Sequence, residues 1–437
     1  MQAMANRKTT YRMYPSVRQE AELRDMLGLH QRLYNVALEQ RIMAHRNGKP
    51  MDFTRQCRDL TELRADGEYA GLNAQSSQVT LKRLDLAYQA FFRRVKTGEK
   101  AGFPRFKAYG RFSGWGYKAH GDGWRLLAGP GMKHGCIRLS GIGRISLRGG
   151  TRTEGEPKTC EIQHKQGRWY ASVTLECKPG RETGNEAVAF DWGVETFATL
   201  AKSDGSTEPI LNPRFTRTAA AELKEAQRSL SRKKRRGQNR KKAARLVGRI
   251  HARTANQRKD FLHQTSAQLV GAYCLIATEA LNIKSMTAAC GSRKRGLNRE
   301  ILSTAPAMFL GMLSYKAEEA DGKYLEIATR KHKPSQTCCM CGCQEKKPLN
   351  QRMHICPCGA HMSRDENSAR VILNLALFGS ATGQELTGCG AGTGPALKQE
   401  SLAIAGTPVE RERFNTFSQL LNSSRRPPRP GAPERCL

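Results

Sequence analysis

Six cysteines, Cys338, Cys339, Cys341, Cys343, Cys356 and Cys358, crowd into 21 positions of this chain, while eight others are scattered along it. That crowding narrows the fold more than any other feature, because it marks a local metal site. Cys338-x-x-Cys341 makes a turn that brings two thiolates onto one zinc, and Cys356-Pro-Cys358, 15 positions later, supplies a second pair. Structural zinc takes four such ligands in a tetrahedron. The second pair is one residue shorter than the usual knuckle, so Cys339, Cys343, His354 or His361 can stand in for a nominal ligand. A loop of reduced cysteines without metal is the plain alternative. The N-terminal segment lacks the apolar stretch of a secretory signal, so a reducing, cytoplasmic setting is expected and disulfides are not. The eight scattered cysteines then read as small buried hydrophobes or inert thiols.

The 437 residues leave room for about three domains. Lys and Arg number 73 against 39 Asp and Glu, a formal net charge of +34, and that much self-repulsion is best relieved by a polyanion whose phosphates release counterions on binding. No apolar run reaches the roughly 18 residues of a membrane span, the longest being 269–277, so a soluble protein without a membrane partner is expected.

Residues 8–14 read as a strand and 19–40 as a helix, with Leu23, Leu27, Tyr34 and Leu38 near helical spacing. Across 76–94, Leu81, Leu84, Tyr88 and Phe91 repeat at three and four positions, a second helix. The segment 98–116 mixes glycine, basic and aromatic residues in a loop suited to stacking and phosphate contact. From 136 to 177 short alternating runs, with Gln166–Gly167 at a turn, predict a small β-barrel or twisted sheet. Two buried strands follow at 186–193 and 196–201, then a lysine- and arginine-rich helical stretch over 218–268, read either as a solvated face or as a nucleic-acid clamp. A strand at 274–280, a helix around 305–320, a strand at 323–328 and a last helix from Glu366 complete the ordered part. The Gly-, Ser- and Pro-rich tail from 379 is expected to be disordered.

Three carboxylates stand in special settings: Asp191 and Glu279 at the ends of apolar strands, and Asp365 at the mouth of a helix. Carboxylates converging from separate elements can hold two magnesium ions that clamp both sides of an in-line phosphodiester displacement, which is a nuclease site. Taken singly, Asp191 can equally be a turn residue before Gly193, Glu279 a strand-end surface charge, and Asp365 a charge favoured by the helix dipole with Ser363 or Asp365 as cap.

In order along the chain, YRMYPSVRQEAELRDMLGLHQRLYNVALEQR, LDLAYQAFFRRVKTGEKAGFPRFK, FDWGVETFATL, ATEALNIKSM, KPSQTCCMCG and SRDENSARVIL resemble TnpB (OrfB), the family of transposon-encoded RNA-guided endonucleases related to compact type V CRISPR effectors. The resemblance runs from about residue 9 to 377. It implies a multidomain α+β chain with a RuvC-like, RNase H-fold nuclease domain, an inserted zinc ribbon, and a β-barrel wedge domain interrupted by a helical recognition domain. The implied boundaries are 1–15 for the first wedge strand, 16–125 for the recognition helices and 126–183 for the wedge barrel. The nuclease domain takes 184–330 and 362–380, the ribbon 331–361, and the disordered tail 381–437.

Under the resemblance Asp191, Glu279 and Asp365 match the acidic residues of a nuclease that cleaves DNA with two Mg²⁺ ions, and Cys338, Cys341, Cys356 and Cys358 match the ligands of a structural Zn²⁺. The partners implied are a guide RNA and target double-stranded DNA, with the protein reading a short adjacent motif, a monomer as its expected state and the nucleoid as its place when on DNA. Gln75, Gln78 and Lys82, on one edge of the second helix, are candidates for motif reading. Arg105, Lys107 and the run Arg232, Lys233, Lys234, Arg235 and Arg236 are candidates for backbone contact. Cys356-x-Cys358 is tighter than the family's Cys-x-x-Cys, and SRDENSA replaces the commoner DRD-x-NAA while keeping its acidic residue and Asn367. A compact CRISPR effector and a binding-only repressor are the competing readings.

Overall fold

The computed structural model describes residues 4–381, apart from 151–153, 179, 289–290, 349 and 380. The expected disordered tail, 381–437, lies outside the described residues but for its first.

Strand β1 (Ala5–Tyr14) turns every second side chain inward, so Thr9, Tyr11 and Met13 are buried. Ser16 then starts helix α1 (Val17–Arg46) with a capping box: its hydroxyl accepts from the Gln19 N–H at 3.3 Å while Gln19 Oε1 accepts from the Ser16 N–H at 3.0 Å. Leu23, Leu27, Tyr34 and Leu38 are all on its buried face. Helices α2 (Phe53–Ala65) and α3 (Ala74–Lys96) follow, capped by Asp52 and Asn73, and α3 buries Leu81, Leu84, Tyr88 and Phe91.

Six strands complete a sheet with β1: β2 (Gly114–Tyr117), β3 (Trp124–Leu127), β4 (Cys136–Leu139), β5 (Gly143–Arg148), β6 (Glu156–Lys165) and β7 (Arg168–Cys177). Their order is β2-β6-β7-β1-β5-β4-β3, all antiparallel, and the sheet rolls into a nearly closed barrel around one apolar core shared with α1 and α3. His30 of α1 joins them. Its ring stacks on Trp115 at 5.4 Å and bonds Thr80 at 2.8 Å, and burial beside Arg83 holds it neutral, with its pKa lowered to about 3.

β2 and the start of β3 lie within 16–125, the segment expected to hold the recognition helices, and β2 takes up the last three residues of the loop read over 98–116. Gly114, which looks like a loop residue, is there because β2 pairs closely with β6. At Gly114, with φ +155°, a Cβ would stand 1.9 Å from the Ile162 carbonyl oxygen.

A second sheet is built from β8 (Glu186–Trp192), β9 (Thr196–Lys202), β10 (Thr207–Leu211), β11 (Tyr273–Glu279) and β12 (Lys323–Ile327), in the order β10-β9-β8-β11-β12. β8, β11 and β12 run parallel, and β9 and β10 add antiparallel. Between β10 and β11 come α4 (Phe215–Thr218), α5 (Ala220–Ser231) and α6 (Gln238–Ala272), with the predicted basic stretch as a helical hairpin. Between β11 and β12 come α7 (Ile283–Met286), α8 (Ser292–Thr304) and α9 (Pro306–Glu319). Val188, Phe190 and Ile276 face α6 and α9 through Leu262, Leu269, Phe309 and Leu313. After α10 (Thr329–His332), the short hairpin β13 (Met353–Ile355) and β14 (His361–Ser363) runs straight into α11 (Arg364–Phe378) on the opposite face of the sheet. No helix among the described residues is long and apolar enough to cross a membrane.

The two sheets are joined by charge. Glu319 at the end of α9, its side chain 9% exposed, accepts from Arg7 of β1 at 2.9 Å and from Arg181 at 3.0 Å. Glu319→Ala would leave two guanidinium groups facing each other and is expected to cost about 2 kcal/mol, below the range for a fully buried pair because both arginines are partly solvated. Glu319→Gln should cost less. Urea midpoints equal to wild type for both variants would show that this network does not hold the sheets together.

Candidate active site

Strands β8 and β11 pair in parallel with Phe190 opposite Thr278, and Asp191 and Glu279 are the next residues on each strand. The buried Thr278 hydroxyl donates to the Phe190 carbonyl at 3.2 Å, fixing the register one step before the two carboxylates. Because strand side chains alternate, Asp191 shares a face with Ala187 and Ala189, and Glu279 shares it with Ala277. Those alanines, with Ala201 of β9, are the floor on which Ala369, Ile372 and Leu373 of α11 sit. Asp365 is in the first turn of that helix, so its carboxylate comes to the same end of the sheet.

The turn after β8, which follows Asp191 by two residues, is tightly closed. Gly193 N–H donates to the Phe197 carbonyl at 3.2 Å, and a Cβ there would meet the Thr196 carbonyl oxygen at 2.6 Å, so no larger residue closes this hairpin without a shift. Asn212 braces it through the Val194 carbonyl at 2.7 Å.

Burial and the charges of Glu279 and Asp365 raise the Asp191 pKa well above the ordinary carboxylate range, opposed by Arg364 and the Ser368 hydroxyl. Burial likewise raises Glu279, with Arg364 again opposing. Desolvated, mutually repelling hard-oxygen donors are what a divalent cation relieves, so the donor set fits magnesium. The carboxylates are less tightly gathered than the cysteines: among the described residues, the quartet alone has its ligand atoms all within 4.8 Å of one another.

That quartet is Cys338, Cys341, Cys356 and Cys358, the four nominal ligands. Cys338 and Cys358 sulfurs lie 3.7 Å apart and Cys341 and Cys356 sulfurs 3.5 Å apart. A tetrahedron with Zn–S near 2.3 Å asks for about 3.8 Å, so the residues fit zinc. The shorter Cys-Pro-Cys turn closes because Gly359 adopts φ +92° and the Cys356 N–H donates to the Ala360 carbonyl at 3.0 Å. His354 is not a substitute ligand. Its Nδ1 bonds the Lys347 Nζ, and it is not among the ligand atoms gathered with the four sulfurs. Burial raises the Cys338 thiol, but the Cys341 and Met340 N–H groups and His354 outweigh it and bring its pKa to about 6. Cys339 belongs to the core instead, its thiol pushed up to about 11 by burial.

The ribbon and α11 are one assembly. Asn367, fully buried, accepts from the Cys339 N–H at 3.0 Å and donates to the Thr337 carbonyl at 2.7 Å. Ser363 ends β14 and caps α11, accepting from the Glu366 N–H at 3.1 Å. Sequence reasoning missed Arg364, Ser368 and Thr278, for which strand-end pairing and helix phase were the available signals.

The candidate nucleic-acid residues belong to other elements. Gln75 accepts from the Ala119 N–H at 3.1 Å, Gln78 from Lys118 Nζ at 3.0 Å, and Lys82 pairs with Asp85 at 2.8 Å, so all three edge α3 with partners in the fold. Arg105 is exposed, and Lys107 is tied by its backbone to α1. Arg232, Lys233, Lys234, Arg235 and Arg236 are all exposed at the tip between α5 and α6.

Comparisons with known proteins converge. The OrfB family model of IS605 elements, described as "Probable transposase", matches residues 163–289, and a Cas12f1-like TNB domain model matches 307–372. A third, described as a helix-turn-helix domain, matches 1–50, where the chain folds as β1 and one uninterrupted helix. A Streptomyces pristinaespiralis protein named "Putative RNA-guided DNA endonuclease" is 32% identical over 94% of this chain and 97% of its own. One from Escherichia coli K12, named "Putative RNA-guided DNA endonuclease InsQ", is 30% identical over 89% and 96%. Among solved structures, a Cas12f1-sgRNA-target DNA complex shares the fold, with a TM-score of 0.57 and 13% identity over 84% of this chain and 98% of that one.

Asp191 and Glu279 bind protons more tightly folded than unfolded, so they cost stability as pH rises from the ordinary carboxylate range, near 4, through their raised values. Without divalent cations, Asp191→Asn should therefore melt above wild type, with a gap that widens with pH across that window. A gap of zero, or one that narrows, would contradict the site's electrostatics.

Proposed function

The chain belongs to the TnpB (OrfB) family of RNA-guided DNA endonucleases, and from that premise we propose that Asp191, Glu279 and Asp365 form a magnesium-dependent nuclease centre that cuts guide-matched double-stranded DNA. The observation that carries this is the convergence of the three carboxylates from β8, β11 and the mouth of α11. In this reading the second sheet with α11 is a RuvC-like RNase H fold, interrupted by a ribbon that holds Zn²⁺. The first sheet and α1–α3 are the wedge and recognition parts.

Two Mg²⁺ ions, when bound, would activate water for attack on the phosphodiester and stabilise the leaving 3′ oxygen. The chain's own part is to hold them. Asp191 and Glu279 project side by side from paired strands, and Asp365 closes the set from the helix. Arg364 tempers the charge of Asp191 and Glu279 before any cation arrives. Asn367 keeps the ribbon on α11, and so keeps Asp365 in position.

A guide RNA from a transposon end would pair with one target strand, while the protein reads the hybrid's shape and a short adjacent motif. The exposed tip Arg232–Arg236 supplies sequence-independent phosphate contacts. A guide from a CRISPR array is the second reading, and the likeness to the Cas12f1 complex favours it only as far as fold goes.

The test is to purify the protein with its co-expressed RNA, sequence that RNA and challenge the complex with a matching duplex library and Mg²⁺. Wild type should cut next to one short motif. Asp191→Ala should keep its RNA and lose roughly 1,000-fold in rate, as expected for losing several kcal/mol of charge stabilisation. Guide and target binding without cutting by wild type would support the binding-only reading, and equal cutting by Asp191→Ala would remove Asp191 from the centre.

A further inference from the structure

The most exposed aromatic side chain among the described residues is Phe106, 55% accessible, in the loop between α3 and β2. An exposed ring on a slack loop would mean little. This loop is nailed down on both sides of it. Three residues before, Phe103 is set edge-on against Tyr88 at 5.5 Å and Phe91 at 5.4 Å. One residue after, Lys107 is gripped through its backbone by the Asn35 amide, its N–H donating to Oδ1 at 2.8 Å and its carbonyl accepting from Nδ2 at 3.0 Å. Gln31 donates to the same carbonyl. Farther on, Tyr109 donates to the Arg24 carbonyl at 3.2 Å and Phe112 is buried against Tyr34.

Pro104 stiffens the short span between the anchors, and only Arg105 and Phe106 project from it. Neither face of the Phe106 ring meets another aromatic or a cation among the described residues, whereas Tyr109 lies on α1 at Gly28. The same loop carries three exposed cations, Lys100, Arg105 and Arg111, while its exposed carboxylate, Glu99, pairs with Lys284. An apolar ring fixed in place among positive charges, in a chain of net charge +34, has the two elements of an unpaired-strand site: a π-face for a base and cations for the flanking phosphates. Fixing the ring beforehand removes ordering cost from the binding step.

We propose that Phe106 is a stacking platform for one unpaired nucleobase, with Arg105 and Arg111 taking the adjoining phosphates. This rests on reading the chain as an RNA-guided nuclease. Such a complex offers unpaired bases from two sources, the guide RNA and the DNA strand opened at the target.

The experiment compares wild type with Phe106→Ala, Phe106→Leu and Phe106→Trp in two arms. One measures affinity for the co-purified RNA species without DNA. The other measures opening of a guide-matched duplex carrying 2-aminopurine beside the adjacent motif. Because the ring is exposed and its anchors stay, melting temperatures should not change. Phe106→Ala is expected to lose about tenfold or more, Phe106→Leu to fare no better, and Phe106→Trp to match or exceed wild type. A loss in the RNA arm assigns the base to the guide, and a loss confined to the second arm assigns it to the opened strand. Phe106→Leu equal to wild type would show apolar packing instead of stacking, and Phe106→Ala equal to wild type in both arms would overturn the proposal. A wild-type protein that retains no RNA would instead remove the guided reading and this inference with it.

Discussion

The nuclease centre proposed for this protein depends on how closely α11 sits on its sheet. The helix rests on Ala187, Ala189, Ala201 and Ala277, and meets them with its own Ala369. Small side chains on both sides let the helix approach, and in a close-packed interior that spacing cannot be adjusted without cost. The first turn of α11 carries Asp365, so the alanine floor decides whether a third carboxylate reaches Asp191 and Glu279. A helix resting on leucines would carry its N-terminus elsewhere.

The ribbon serves the same end. It enters α11 without a loop, since Ser363 is both the last residue of β14 and the helix cap. Asn367 and Asn374 bind the Cys338 knuckle to the helix through the Cys339 amide and carbonyl. A metal-held hairpin lacks a core of its own, and a zinc bound by this quartet would lend its rigidity to the helix. The carboxylates themselves work against the fold, as buried like charges do, and their cost is tolerated because the surrounding packing over-determines their position.

Much of this was legible in the sequence for physical reasons. The cysteine spacing states its own geometry, and the structure brings together the four nominal ligands despite the short second turn. Asp191 and Glu279 stand out as charges at the ends of apolar strands, but singly each reads equally well as a turn or surface charge, and the resemblance is what joined them with Asp365. Their pairing did not follow from spacing, because 88 positions separate the register-fixing partners Phe190 and Thr278. Strands β2 and β3 were hidden because each is short and glycines flank or interrupt them, and Gly114 and Gly116 signal a loop when they serve a close strand pairing. For Gln75, Gln78 and Lys82, sequence located the helix edge but not the neighbours, Ala119, Lys118 and Asp85, that engage them.

Three carboxylates distant in sequence should make one cation site and four cysteines another. Anomalous diffraction from manganese-soaked crystals tests it most directly. Zinc-edge scattering is expected to centre on Cys338, Cys341, Cys356 and Cys358, and manganese scattering to be bounded by Asp191, Glu279 and Asp365 and to disappear in Asp191→Ala. Manganese bound elsewhere, or not at all while the zinc signal is present, would contradict it.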